Sequence, residues 1–186
     1  PGFSGADLDN LLNEAALLAA RNERDSIRTE DIENARDKVL MGLKRTGLAL
    51  TEEELKMLAH HEAGHAVIAA MLPGSDPIHK VTIVPRGRAM GVTQQLPEQD
   101  KYIFSREHML NRITVMLGGR AAEDIAFGTA TNGAEDDLKR ATDLARRMIL
   151  DWGMSQRLGP MAAGGQHQQV FLGEEIAQRP KYSETT

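Results

Sequence analysis

The sequence predicts a mainly α-helical protein that carries one small β-hairpin. Along most of the chain, apolar residues recur at helical spacing, and Ser, Thr and Gly stand where such helices would begin and end. The exception is a pair of β-rich runs, Val81 to Val84 and Gly91 to Leu96, separated by a Pro-Arg-Gly-Arg turn. These runs predict a hairpin inserted between helices.

The N-terminal part of the chain contains two short predicted helices. The first is expected from about residue 4 to 22 and the second from about residue 29 to 42, where a glycine ends it. Residues 43–50 contain a glycine and several basic or polar residues, which is typical of a linker. The apolar face of the second helix is predicted to consist of Ile32, Ala35, Val39 and Leu40.

The larger part, residues 51–186, should contain three long helices, with a capping box that begins at Thr51. These helices are expected over about residues 51–71, 105–127 and 132–153. Gly64 lies inside the first, and because glycine there costs about 1 kcal/mol against alanine, we expect a reason of packing or of access to the site for it. Gly118-Gly119 is expected to interrupt the second helix, and residues 164–169 are expected to form a loop.

The charge and composition of the chain argue against several classes of function. A formal charge of -5 without a basic stripe argues against nucleic acid as a partner. The chain has no cysteine, so histidines and carboxylates are the plausible metal ligands. No run approaches the roughly 18 apolar residues that span a bilayer. The first residues are neither a start methionine nor a signal peptide, so we expect a fragment of a longer protein.

The strongest functional signal is the run His61-Glu62-Ala63-Gly64-His65. On a helix, residues at i and i+4 project from one face, so both histidines can bind a single metal ion. Glu62 lies about 100° around the helix, where its carboxylate can reach the attacking water instead of the ion. At this composition, chance gives about 0.015 occurrences of such a pattern. The run predicts the helix of a zinc peptidase of the zincin type.

A catalytic zinc ion needs a third protein ligand, and the residues leave two candidates for it. The metzincin pattern would place Gly at position 68 and His at 71, but Ile68 and Met71 stand there. Glu123 and Asp137 remain. On the last long helix, Asp137 projects inward beside apolar positions, which favours it, whereas Glu123 could instead orient a ligating histidine.

Taken together, these motifs resemble the FtsH family of membrane-anchored AAA+ zinc proteases. The agreement runs in order through nearly the whole chain. Its segments are PGFSGADL at 1–8, NEAAL at 13–17, HEAGH at 61–65, PRG at 85–87, LGGR at 117–120 with Glu123, and NGA at 132–134 leading to Asp137. Two positions depart from the family pattern, which usually has Thr or Ser in place of Asn132 and Asn in place of Asp136.

The resemblance implies a role for each candidate site residue. His61, His65 and Asp137 match the family's ligands for one Zn²⁺ ion. Glu62 matches its general base. Glu123 matches a glutamate that sits beside the site without binding zinc.

The resemblance also implies the domain organisation. Residues 1–42 would be the C-terminal part of the AAA+ small helical lid subdomain, residues 43–50 a linker, and residues 51–186 a zinc peptidase domain truncated at its C-terminal end. The sequence contains no GxxxxGK[ST] phosphate loop. ATP and Mg²⁺ are therefore expected only in the full-length protein.

The full-length protein would be a homohexamer that unfolds unassembled or damaged membrane and soluble proteins and cleaves them. It would be held in a bacterial inner membrane through a segment absent from this chain, with this domain, itself soluble, facing the cytoplasm.

Two rival functions remain open for the peptidase part. It could be a catalytically silent module that only holds a hexamer together, although an intact His-Glu-His set argues against that. It could also be a zinc hydrolase that does not cleave proteins.

The predicted hairpin has two possible roles. It could offer an edge to which an extended substrate adds as a strand, or it could be purely structural.

Overall fold

A computed structural model describes residues 2–87, 89–97, 99 and 101–162 of the chain. Within these ranges the elements follow one another as α1 Gly5–Arg21, α2 Thr29–Met41, α3 Glu52–Met71, β1 Ile78–Thr82, β2 Val92–Gln95, α4 Arg106–Phe127, a 3-10 turn Asn132–Ala134 and α5 Glu135–Leu150. The predicted mainly α class with one small hairpin is confirmed. The loop expected over residues 164–169 lies outside the described residues.

Helices α1 and α2 pack against each other around a small core. Ser4 begins α1 through a capping box, in which its hydroxyl accepts from the N–H of Asp7 and the Asp7 carboxylate accepts from the N–H of Ser4. Leu11, Ala15 and Ala35 form the buried cluster between the two helices. This contact buries only part of the apolar residues that recur along α1, because Leu8 and Leu12 are 50% and 53% exposed.

The apolar face predicted for α2 is wrong in part. Ala35 is buried, but Ile32 and Leu40 are 37% and 46% exposed. Asp31 and Asp37 are buried in their place. Hydrophobic spacing does not foresee this, because a carboxylate is buried only when charged or hydrogen-bonding partners from elsewhere surround it.

The buried carboxylate of Asp37 connects α2 to the hairpin region. Lys80 on β1 donates to its Oδ2 at 2.5 Å, and Arg86 donates to the same oxygen at 3.2 Å. We call these three residues the junction. Beside them, the main chain of the predicted linker pairs with residues 85–87, where Arg45 N–H donates to the carbonyl of Pro85. The division into residues 1–42, 43–50 and 51–186 stays a prediction.

Helices α3 and α4 cross with their main chains in contact. A Cβ atom added to Gly64 would lie 2.4 Å from the carbonyl oxygen of Gly118, and one added to Gly118 would lie 2.8 Å from that of Gly64. The packing reason expected for Gly64 is therefore present. The interruption expected at Gly118-Gly119 is wrong, because α4 runs unbroken through both glycines and uses them for this close approach.

The hairpin lies against α3. Its strands β1 and β2 are antiparallel, with Val81 opposite Thr93 and Thr82 opposite Val92. The first strand begins three residues earlier than the β-rich run predicted, and its register shifts between Ile78 and Lys80.

Among the described residues, no helix is both long enough and apolar enough to cross a bilayer.

Candidate metal centre

The two motif histidines lie on one buried face of α3. His61 and His65 are 6% and 7% exposed, and their rings meet edge to face with centroids 4.7 Å apart. Helix α3 holds them in this arrangement because residues four apart lie one above the other. Both Nε2 atoms point to the same spot, 3.1 Å from each other.

Asp137 brings a carboxylate to the same spot from the first turn of α5. Thr131 caps the preceding 3-10 turn, where its hydroxyl accepts from the N–H of Gly133. Asp137 Oδ2 then lies 3.2 Å from Nε2 of His61 and 3.2 Å from Nε2 of His65. Asp137 is partly buried, which confirms its predicted inward direction, whereas its neighbour Asp136 is exposed.

These three atoms form a nearly equilateral triangle with edges of 3.1 to 3.2 Å. Zinc binds nitrogen and oxygen ligands at about 2.0 to 2.1 Å in tetrahedral geometry, which separates neighbouring ligands by about 3.3 Å. His61, His65 and Asp137 therefore have the spacing of three corners of a tetrahedral metal site. The three atoms occupy one cluster suited to a metal ion, and Glu123 is not part of it.

Hydrogen bonds behind the rings fix which nitrogen faces the cluster. His65 Nδ1 lies 2.7 Å from the carbonyl oxygen of Val115, which can only accept, and this contact is much shorter than the 3.3 Å to the N–H of Gly119, so Nδ1 carries the proton. His61 Nδ1 lies 2.7 Å from Glu123 Oε1 and donates to it. In the neutral rings, both Nε2 atoms then present a lone pair toward the Asp137 carboxylate. Three electron pairs that meet in this way need a cation between them.

The protonation behaviour of the cluster shows the same need for positive charge. The hydrogen bond to Asp137 is the largest influence on the pKa of His61 and raises it, against burial. Burial is the largest influence on His65 and lowers its pKa, but the bonds to Asp137 and Val115 outweigh it and the net shift is upward. For Asp137, burial raises the pKa, yet the two histidines hold it well below its usual range.

Glu62 lies next to the cluster, and its carboxylate is not one of the three converging groups. It is 5% exposed, and this burial raises the pKa of its carboxyl group. Thr93 on β2 donates to its Oε2 at 2.7 Å. A buried carboxylate with a raised pKa beside a metal cluster has the properties of a proton acceptor.

Glu123 is buried behind His61 and also ties the site to the segment before α5. It is 1% exposed, and its second oxygen accepts from the N–H of Thr131 at 3.0 Å. The main chain of α4 packs directly against both imidazoles at Gly119, where an added Cβ atom would lie 2.6 Å from Nε2 of each histidine. The structure thus brings all five predicted site residues together, three facing inward and two supporting.

Besides Gly119, four contacts of the site were not foreseen from the sequence. They come from Gly91 and Thr93 beside Glu62, from the carbonyl of Val115 and from the N–H of Thr131. Two are main-chain groups, which every residue carries, so no side-chain motif could reveal them. Thr93 lies 31 residues from Glu62 and has no distinguishing neighbour in the sequence.

The helical scaffold, the His-Glu-x-x-His helix and the carboxylate from a later helix define a zincin-type peptidase domain. Comparison with known families identifies which one. The profile of peptidase family M41 matches residues 48–186, and that of the AAA+ lid domain matches residues 1–34. The chain belongs to peptidase family M41.

Similar proteins are known in several bacteria. The ATP-dependent zinc metalloprotease FtsH 2 of Salinibacter ruber is 60% identical over 186 residues, which is all of this chain and 27% of that protein. The ATP-dependent zinc metalloprotease FtsH of Magnetococcus marinus is 53% identical over 186 residues, all of this chain and 28% of that protein. The FtsH of Thermotoga maritima is 51% identical over 185 residues, 99% of this chain and 30% of that protein. The chain spans less than a third of the length of these relatives.

Proposed function

We propose that this chain contains the zinc-dependent endopeptidase domain of an ATP-dependent protease, preceded by part of an AAA+ lid. The observation that carries the proposal is the triangle of two histidine nitrogens and one aspartate oxygen, with edges of 3.1 to 3.2 Å, beside a buried glutamate. The names of the similar proteins, all ATP-dependent zinc metalloproteases, agree with it.

In this proposal, His61, His65 and Asp137 hold one Zn²⁺ ion. Bound zinc would lower the pKa of water and polarise the scissile carbonyl group. Glu123 orients His61 by accepting from its Nδ1–H, and the carbonyl of Val115 does the same for His65.

Glu62 performs the proton transfers. Its carboxylate takes a proton from the attacking water and delivers it to the nitrogen of the leaving amine. The new C–O bond forms first, the peptide C–N bond then breaks as its nitrogen takes up the proton, and no covalent link to the protein arises. Burial of Glu62 favours this role, because the raised pKa of its carboxyl group makes the carboxylate a stronger base near neutral pH.

The setting of the domain is part of the same proposal. The full-length protein would be a homohexamer, held in a bacterial inner membrane, that uses ATP and Mg²⁺ to unfold proteins and pass them to the zinc sites. Support comes from the lid profile over residues 1–34 and from the ATP-dependent proteases that the chain resembles. Unfolded polypeptides are the proposed substrates.

The test compares Glu62→Gln with Glu53→Gln in the full-length protein, with casein cleavage and bound zinc as readouts. Glu53 is an exposed glutamate in the first turn of the same helix, so it controls for the loss of a charge on α3. We expect Glu62→Gln to keep its zinc and to lose roughly 10² to 10⁴ in cleavage rate, the usual worth of a general base. Cleavage at the parent rate would disprove the role of Glu62.

The alternative is a silent module that only supports hexamer assembly. The intact donor triangle and the buried glutamate oppose it, since assembly alone requires neither. A parent protein that forms hexamers but binds no zinc and cleaves no casein would favour this alternative.

A further inference from the structure

The carboxylate of Glu62 is held by a hydroxyl group from the hairpin. Thr93 Oγ1 lies 2.7 Å from Glu62 Oε2 and 3.0 Å from the main-chain oxygen of Glu62. One hydroxyl carries one proton, so it can donate fully to only one of these acceptors. The bond to the ionised carboxylate is charge-assisted and is the shorter of the two, so it takes the proton.

The other side of the same carboxylate faces Gly91. A Cβ atom on Gly91 would lie 2.6 Å from Glu62 Oε1, 2.8 Å from its Cγ and 3.0 Å from its Cδ. The main chain of the hairpin therefore passes directly over the carboxylate, and any larger residue at position 91 would push it away. Thr93 and Gly91 together confine the glutamate from two sides.

The hairpin is well suited to hold the hydroxyl in place. Thr93 is paired with Val81 across the sheet, and β2 contacts α3 directly. Threonine is branched at Cβ, which restricts χ1 and so fixes the direction of its hydroxyl. Glutamate, in contrast, has a long flexible side chain that burial alone does not orient.

We propose that Thr93 is a positioning residue for the reaction, which holds the Glu62 carboxylate in the orientation needed to reach the attacking water. The inference rests on the proposed function, in which Glu62 is the general base. Thr93 touches neither the metal-binding atoms nor the water in this role. It acts through Glu62.

The experiment uses the full-length protein with Thr93→Val, which removes the hydroxyl and keeps the shape, and Thr93→Ser, which restores a hydroxyl. Thr82→Val is the matched control, because Thr82 lies on the paired strand and, among the described residues, its hydroxyl accepts only from the N–H of Val84. For each variant, kcat and KM for casein, ATP hydrolysis and bound zinc are measured.

We expect Thr93→Val to lower kcat by roughly 10- to 100-fold, as removal of an outer-shell partner does, with KM, ATP hydrolysis and zinc content unchanged. Thr93→Ser should return kcat to within a few-fold of the parent. Thr82→Val should leave kcat unchanged. In a Glu62→Gln background, Thr93→Val should cause no further loss, because its effect passes through the glutamate.

Three results would overturn the inference. They are a parent-like kcat for Thr93→Val, an equal loss in Thr93→Ser, and a full additional loss when Thr93→Val is combined with Glu62→Gln. As long as Glu62→Gln alone abolishes cleavage, none of these three results contradicts the proposed function. If Glu62→Gln itself cleaves at the parent rate, the proposed function fails instead, whatever the Thr93 variants do.

Discussion

Two carboxylates, Glu123 and Asp37, are buried to the same degree and have different partners. Each is 1% exposed and accepts from two groups. Glu123 accepts from the imidazole of His61 and from a main-chain N–H. Asp37 accepts from two cations, Lys80 and Arg86.

The difference in partners distinguishes a carboxylate of the metal site from one with a structural role. Two cations within the junction neutralise the charge of Asp37, so this carboxylate needs no further positive charge. Around the metal cluster, Glu62, Glu123 and Asp137 surround two histidines, and no lysine or arginine bonds to any of these three carboxylates in the described part of the chain. A buried carboxylate with neutral partners thus marks the place where positive charge is to be bound. One with cationic partners marks a structural contact.

The largest effect on zinc affinity is expected from Asp137→Asn. Loss of the anionic ligand should weaken zinc binding more than 100-fold, beyond the range typical of outer-shell partners. Asp136→Asn is the matched control, since Asp136 is adjacent and exposed. Zinc affinity is measured by competition with a chelator in the full-length protein. If Asp137→Asn bound zinc as the parent does, Asp137 would not be a ligand.

A smaller loss is expected from Glu123→Gln. The amide oxygen can still accept from His61 Nδ1–H, but the negative charge is gone, so zinc affinity should fall roughly 10- to 100-fold. Asp124→Asn, which changes an exposed carboxylate one residue later, serves as control. Greater loss of metal with Glu123→Gln than with Asp137→Asn would reverse our assignment of ligand and supporting residue.

Acidification should weaken zinc binding by up to about tenfold per pH unit for each histidine that must lose a proton. The pKa values of His61 and His65 are raised in the folded protein, so protons compete more strongly than they would for free imidazoles. Zinc affinity is therefore greatest above the raised pKa values and falls as the pH drops through them. A titration of zinc affinity against pH checks this, and an affinity that does not change would contradict it.

The smallest effect on zinc affinity is expected from Asp37→Asn, within a factor of about two, because the junction and the cluster share no partner in the part of the chain that the structure describes. Stability should fall by about 1 to 3 kcal/mol, since Lys80 and Arg86 lose their shared anion. Thermal unfolding measures this, with the exposed Asp25→Asn as control. A large loss of zinc from a stable Asp37→Asn protein would show that the junction affects the metal site and is not purely structural.

The sequence predicts the local features of this molecule well. Capping residues such as Ser4 and Thr51 act within three residues of their partners, so the beginnings of α1 and α3 can be read directly. Helical periodicity is equally local, and it correctly predicts that Asp137 faces inward. The metal cluster could be anticipated because its two histidines lie within five residues on one helix.

The remaining features depend on contacts between distant segments. The burial of Asp37 needs Lys80 and Arg86, which lie more than 40 residues away along the chain. Gly118-Gly119 reads locally as a helix breaker, and only the crossing with α3 explains why the helix continues. Thr93 reaches Glu62 through the pairing of the hairpin, which no single segment encodes.

The contact between Gly64 and Gly118 has a thermodynamic consequence for the metal centre. Where α3 and α4 meet main chain to main chain, no side chain lies between them whose rotamers could rearrange. Docked in this way, α4 holds the two imidazoles of α3 through Glu123 and the carbonyl of Val115, so most of the ordering entropy of the site belongs to folding. Zinc then meets a chelator that is already assembled, and its uptake should be a local event with little further loss of conformational freedom.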